Sequence, residues 1–325
     1  MEVCGTHTVA IHRYGIHRLL PQNVKLVSGP GCPVCVTPDS YIDEAVFLAR
    51  QGFVIATFGD MIKVPGNESS LEKERAKGHD IKIIYSPMDA LQMAETSEKE
   101  VVFLSVGFET TTPGIAVTVM QAAAKGVRNF FVLTANRLVP PALTVLIQGD
   151  AKIDGFLLPG HVSTMLGKKG YDFLEDLDVP GVISGFEPVD MVSSITCLLD
   201  LIRDNEAKVV NNYKRVVRDE GNPKSNALVD SVFEAVDAEW RGIGNIPQSG
   251  LQLKKEYQTL DIRHKIEIKT VKKERHSGCR CGEVLKGLID PPQCPLFKTK
   301  CSPESPIGPC MVSSEGSCSA WYKYG

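Results

Sequence analysis

Apolar residues along this chain fall in short unbroken runs, and between the runs they recur three or four positions apart. The first texture predicts buried strands and the second predicts amphipathic helices. Strands are expected at 24–28, 53–58 and 81–85, then at 101–106, 129–134, 155–158 and 181–184. Helices are expected at 39–51, where Thr37 caps, Pro38 opens and Gly52 ends the element, and at 71–77. A further helix opens at Pro87 behind Ser86, and others cover 115–124, 142–148, 164–177 and 189–203. A last helix is read over 225–241, with Val229, Val232, Phe233, Val236 and Trp240 along one stripe.

Strands separated by helices imply right-handed βαβ crossovers and parallel sheets covered on both faces. The expected fold class is therefore α/β: two parallel-sheet βαβ domains plus a cysteine-rich C-terminal domain. The divisions are an N-terminal segment at 1–19, α/β domains at 20–95 and 96–208, and the C-terminal domain at 209–325. That last domain is broken by Pro291, Pro292, Pro295, Pro303, Pro306 and Pro309 and has few helix formers, so a metal cluster is the natural thing to hold it together.

Charge changes the picture little. The net charge of −3 leaves no nucleic-acid footprint. The one basic stretch, 265–275, alternates with apolar residues and reads as a solvated strand or linker. The run 101–108 is too short to span a membrane, and the first residues contain no continuous apolar signal region. On this reading the protein is cytoplasmic, where thiols serve metals and redox steps rather than structural disulfides.

Cysteine placement changes it a great deal. Of ten cysteines, only Cys197 lies in the long middle of the chain, and on its apolar helix it reads as core. Cys32 and Cys35 sit in Gly-Pro-Gly-Cys-Pro-Val-Cys between a strand and a helix. There the helix N–H groups favour thiolate, which suits a dithiol/disulfide pair or a soft metal held by two sulfurs. Cys4 is followed by Gly5, Thr6, His7 and Thr8, groups able to donate to an anionic ligand. His7, His12 and His17 recur every fifth residue, about 140° apart on a helix, so they share no metal face; only His7 is a functional candidate.

The tail spacing Cys294-x6-Cys301-x8-Cys310-x7-Cys318, preceded by Cys279-x-Cys281, lacks the close knuckles of zinc sites and fits a 4Fe-4S cluster better. Zinc and a disulfide framework remain the alternatives. Glu109 and Thr110, in Gly-Phe-Glu-Thr-Thr-Thr, and His161, in Pro-Gly-His-Val-Ser, follow strands at the edge where parallel sheets gather ligands. Gly59-Asp60-Met61 and Gly185-Phe186-Glu187-Pro188 hold similar places with weaker signals. Neither a P-loop nor a dinucleotide glycine motif is present, and there is no G-x-S-x-G elbow.

Together, Cys4-Gly-Thr-His-Thr, the Cys32/Cys35 motif, Phe58-Gly-Asp-Met, Gly107-Phe-Glu-Thr-Thr, Pro159-Gly-His-Val-Ser and Cys310-Met-Val-Ser-Ser-Glu-Gly-Ser-Cys318 resemble the HypD family of NiFe-hydrogenase maturation factors along the whole chain. Family members carry a further segment ahead of the first motif, and in this respect the chain departs from them. The resemblance implies a scaffold on which iron acquires two cyanides and one carbon monoxide. It implies a HypC-type chaperone, a HypE-type cyanide donor and, indirectly, the hydrogenase large subunit as partners, with no nucleic acid and no membrane. It also implies that Cys4 anchors iron and that Cys32/Cys35 form the redox dithiol near it. Cys294, Cys301, Cys310 and Cys318 would bind a 4Fe-4S cluster, while His161, Glu109 and Thr110 line the cleft. An iron–sulfur thiol-disulfide reductase acting on a protein partner, and a zinc-stabilised interaction protein, are the competing readings.

Overall fold

The computed structural model describes residues 1–270 and 278–325. Seven short strands form two parallel sheets. The first sheet contains β1 (Val54–Thr57), β2 (Ile81–Ile83), β3 (Val101–Gly107) and β4 (Phe130–Asn136) in the order β2-β1-β3-β4. In β3 and β4 alternate residues enter opposite cores, as the two-residue strand period requires. Val102, Leu104, Phe131 and Leu133 face one core, while Val101, Phe103, Phe130 and Val132 face the other. Helices Pro87–Glu95 and Thr112–Lys125 supply Leu91, Ile115 and Val119 to the second of these cores.

The second sheet contains β5 (Phe156–Pro159), β6 (Gly181–Ser184) and β7 (Val209–Asn211), also parallel. The chain's first residues extend its edge. Leu157 N–H donates to Met1 O at 2.9 Å, and Glu2 N–H donates to Val27 O at 3.0 Å on the far side. The α/β character and the parallel βαβ units are as expected, but the chain is partitioned differently. Because β3 pairs with β1 and β4 with β3, the expected boundary at 95/96 runs through one sheet, and the second sheet begins only at Phe156. The strand expected at 24–28 shrinks to a bridge at Ser28, since a single neighbouring segment holds it there. The single helix expected over 164–177 is broken into Gly160–Leu166, a turn at Lys169–Tyr171 and Phe173–Asp176, with Gly167 at a φ of 70° interrupting it.

The helix read over 225–241 is also corrected. A helix covers only Pro223–Val232; Phe233–Trp240 is a strand, β8, paired antiparallel with β9 (Gly244–Leu253). Phe233, Ala238 and Trp240 are buried, a pattern that the helical stripe mimicked over one turn. The Trp240 indole N–H donates to Ser249 Oγ at 2.8 Å, and Leu138 N–H donates to Ser249 O at 2.8 Å, fastening the hairpin to the end of β4. Of the basic stretch 265–275, residues 271–275 lie outside the described residues; Lys265 pairs with Glu100 and lies over the Phe131 ring.

The chain's two ends meet. Helix Gly5–Arg13 packs on helix Ser317–Tyr324, and the short helix Pro33–Val36 packs on Pro309–Val312. Among the described residues no helix is long and apolar enough to cross a membrane.

Candidate functional site

The loops that leave β3 and β5 at their C-terminal ends face the N-terminal segment across a cleft of about 290 Å³. Cys4, Thr6, Gly31, Thr110, His161 and Glu315 are among the residues that line it. Cys4 sits in extended backbone at the start of helix Gly5–Arg13 and is 7% exposed. Its placement depends on Gly31, where an added Cβ would fall within 3.0 Å of the backbone of Val3 and Cys4. Gly5 N–H donates to Gly31 O at 3.0 Å, and Cys4 N–H donates to the buried Glu2 carboxylate, also at 3.0 Å. Burial pushes the Cys4 thiol up to about 12, with the backbone N–H groups of His7 and Thr6 opposing it and the carboxylates of Glu2 and Glu315 adding to it.

Cys32 and Cys35 are joined as a disulfide beside this segment, and both are buried. Cys32 caps the four-residue helix, accepting at Sγ from Cys35 N–H at 3.2 Å. Thr110 is exposed at the cleft. Glu109, by contrast, does not line it: its Oε1 accepts from Val139 N–H at 2.8 Å, while Oε2 is buried without a partner. Desolvation raises its pKa to about 7. The loop after β3 turns directly into the helix at Thr112, which carries Glu109 inward and leaves Thr110 at the surface.

His7 is buried and does not line the cleft; its Nε2 lies 2.9 Å from Gly185 O, and burial lowers its pKa to about 4. The expectation that His12 and His17 stand apart is corrected. Helix Gly5–Arg13 ends before His17, and Gly15, at a φ of 65°, turns the chain so that the two rings come within 4.9 Å, with Trp321 packed at 4.5 Å from His12. Cys197 is only partly buried. Glu315 is a cleft residue with no separate signal in the sequence, although it lies inside the Cys310–Cys318 motif. Its Oε1 accepts from Thr6 Oγ1 at 2.8 Å, binding the tail to the front helix.

All six tail cysteines line one apolar hollow with Val284, Leu296, Phe297 and Met311. Cys281 is hydrogen-bonded to both Cys279 and Cys310, and the Cys318 thiol is raised by burial and by its thiol neighbours Cys279, Cys281, Cys301 and Cys294. Gly308 admits this crowding, since a Cβ there would lie 2.6 Å from Cys279 Sγ. Among the described residues no three His, Cys, Asp or Glu groups converge on one point as a single ion requires. The donors ring a space instead. Four of the six are buried and Cys279 and Cys318 are half-buried, and an all-sulfur donor set of this kind fits an iron–sulfur cluster.

A parallel α/β scaffold that gathers a lone thiol, a Cys-x-x-Cys disulfide and a nest of six thiols defines a cysteine-rich α/β protein whose side-chain chemistry is centred on sulfur. Similarity to known proteins is specific about which. A family model named HypD and described as the hydrogenase formation hypA family matches residues 1–325. The hydrogenase maturation factor HypD of Escherichia coli is 45% identical over 329 residues, covering 100% of this chain and 88% of that protein. HypD2 of Bradyrhizobium diazoefficiens is 43% identical, covering 100% and 89%. A putative hydrogenase expression/formation protein of Methanocaldococcus jannaschii is also 43% identical, covering 100% and 91%. The chain belongs to the HypD family of hydrogenase maturation factors.

Proposed function

We propose that the Cys4 cleft is where an iron atom is held while it acquires two cyanides and one carbon monoxide, before passing to a hydrogenase large subunit. The observation that carries this reading is one cleft uniting a lone buried thiol, the hydroxyls of Thr6 and Thr110 and the imidazole of His161, with a redox-competent disulfide beside it. Iron with cyanide and carbonyl ligands is a soft cargo that a thiolate suits, and anionic cyanides need hydrogen-bond donors. Thr110 and His161 are such donors, while the single hydroxyl proton of Thr6 is given to Glu315. Cys4 meets the cargo as a thiolate once its proton is displaced, because a cation beside it offsets the burial that keeps the free thiol protonated.

Cys32 and Cys35 give the site a redox partner: two electrons and two protons convert the disulfide into two thiols. A 4Fe-4S cluster held by the tail would supply electrons one at a time, so two such transfers would match the two-electron disulfide. Cys294, Cys301, Cys310 and Cys318 are the ligand set that the family resemblance implies. The contact between Cys281 and Cys310, the latter on a helix packed against that of Cys35, favours a second assignment, in which Cys279 is the fourth ligand. The Cys281/Cys310 dithiol then reduces Cys32–Cys35 by thiol-disulfide exchange, becoming a disulfide that two further electrons and two protons would return to thiols. The partners in this reading are a HypC-type chaperone sharing the iron and a HypE-type cyanide donor, in a cytoplasmic setting.

Infrared spectra of anaerobically purified protein test the scaffold role. Protein co-produced with those partners is expected to show cyanide and carbonyl stretches that protein produced alone lacks. Their absence from the co-produced protein, together with turnover of a protein disulfide, would establish the reductase reading instead.

A further inference from the structure

Among the described residues no hydrogen bond fixes the His161 ring. A stack does: its centroid lies 4.0 Å from that of Phe186, at an interplanar angle of 26°. Phe186 also meets the His7 ring at 4.8 Å and takes Tyr213 edge-on at 6.1 Å. Both of these neighbours are anchored. His7 is held at Gly185 O, and Tyr213 lies under the Arg215 guanidinium at 4.7 Å, which in turn grips the Asp190 carboxylate with both terminal nitrogens. Space for the cluster comes from two glycines. A Cβ at Gly160 would lie 3.1 Å from the Tyr213 ring, and one at Gly185 would lie 2.7 Å from it.

His7 is on the helix that starts directly after Cys4, and His161 is on the helix that follows β5. Phe186 therefore stands between the element that carries the thiol and the element that carries the imidazole. We infer that Phe186 is a positioning residue of the cleft, setting where the His161 ring stands relative to the Cys4 thiol. An aliphatic side chain fills part of its volume but offers no face for stacking, whereas tyrosine and tryptophan do. The inference rests on the reading above in so far as His161 serves the cleft.

Histidine-selective NMR of the full chain, combined with hydrogenase maturation by the same variants, tests it. In the unaltered protein the His161 ring protons are expected to be displaced upfield by Phe186, and the imidazole to titrate below its ordinary 6.5, because burial lowers it. In Phe186→Leu the displacement is lost, the titration moves up, and maturation falls by up to about tenfold. Phe186→Tyr and Phe186→Trp restore both. A folded Phe186→Leu protein with unchanged His161 resonances overturns the inference. So does the lack of an upfield displacement in the unaltered protein, which needs no variant. If His161 shifts as expected while maturation survives both Phe186→Leu and His161→Ala, the positioning stands and the role given to the cleft fails.

Discussion

Replacing Gly31 with alanine puts the assembly of the cleft to a physical test. The new methyl group would lie within 3.0 Å of three backbone atoms of Val3 and Cys4. No side chain can rotate to relieve that overlap, so the two segments must separate. Overpacking of this kind costs about 1–3 kcal/mol, and weakening the Gly5–Gly31 hydrogen bond adds about 1 kcal/mol. The sum, about 2–4 kcal/mol, should lower the urea midpoint by roughly 0.5–1 M. Because the separation occurs at Cys4, its thiol should also react faster with a maleimide under native conditions. Gly114→Ala is the control: its Cβ meets nothing within 4 Å, and its midpoint should hold or rise. Equal midpoints and equal thiol reactivity in Gly31→Ala and the unaltered protein would refute the claim that Gly31 sets the position of Cys4.

Other perturbations probe charge and the thiol nest. Glu74 is buried and accepts from Arg50, Lys77 and Ser69, and the Arg50 guanidinium holds its carboxyl far below the usual range. Its stabilisation is present above about pH 4.5 and is lost as pH falls, so unfolding measured against pH should show an acid slope that is weaker in Glu74→Gln, with a loss of about 2 kcal/mol at pH 7. Glu109 has the opposite sign: its raised pKa means that stability declines as pH rises from 4.5 to about 7 and then levels. Glu109→Gln should flatten that decline, and an unchanged profile would contradict the burial of the carboxylate. Iron and sulfide analysis of anaerobic Cys294→Ala and Cys301→Ala should show loss of both elements. Cys279→Ala and Cys310→Ala decide between the two ligand sets, since only the variant lacking a ligand should lose them.

Much of this architecture was readable from the residues. The apolar runs at β1, β3, β4, β5 and β6, and Pro87 opening a helix behind its Ser86 cap, are local signals that tertiary packing reinforced. The cap expected at Thr37 is not formed, because Thr37 instead ends helix Pro33–Val36, donating to Pro33 O at 2.9 Å, and the next helix starts at Asp39 after Pro38. What depended on distant contacts was not readable. Phe233–Trp240 carries both a helical stripe and a strand alternation, and only the partner strand β9 decides between them. Residues 24–28 have strand composition but only one paired residue. For the site, the cysteine motifs, Thr110 and His161 stood out by chemistry and spacing. Glu315 did not, and Phe186 did so only weakly within Gly185-Phe186-Glu187-Pro188, because their importance comes from Thr6, His7 and His161, which reach them through the closure of the chain's ends and the joining of separate loops. Glu109 shows the converse: a motif position whose side chain turns inward to bind Val139 N–H.

The central claim, that Cys4 anchors the iron during ligand attachment, is tested most directly by infrared spectra of Cys4→Ala co-produced anaerobically with the chaperone and cyanide-donor partners. If Cys4 is the anchor, the cyanide and carbonyl bands of the unaltered protein should disappear, while iron and sulfide contents consistent with the proposed tail cluster should be unchanged. Bands of undiminished intensity in Cys4→Ala would contradict it.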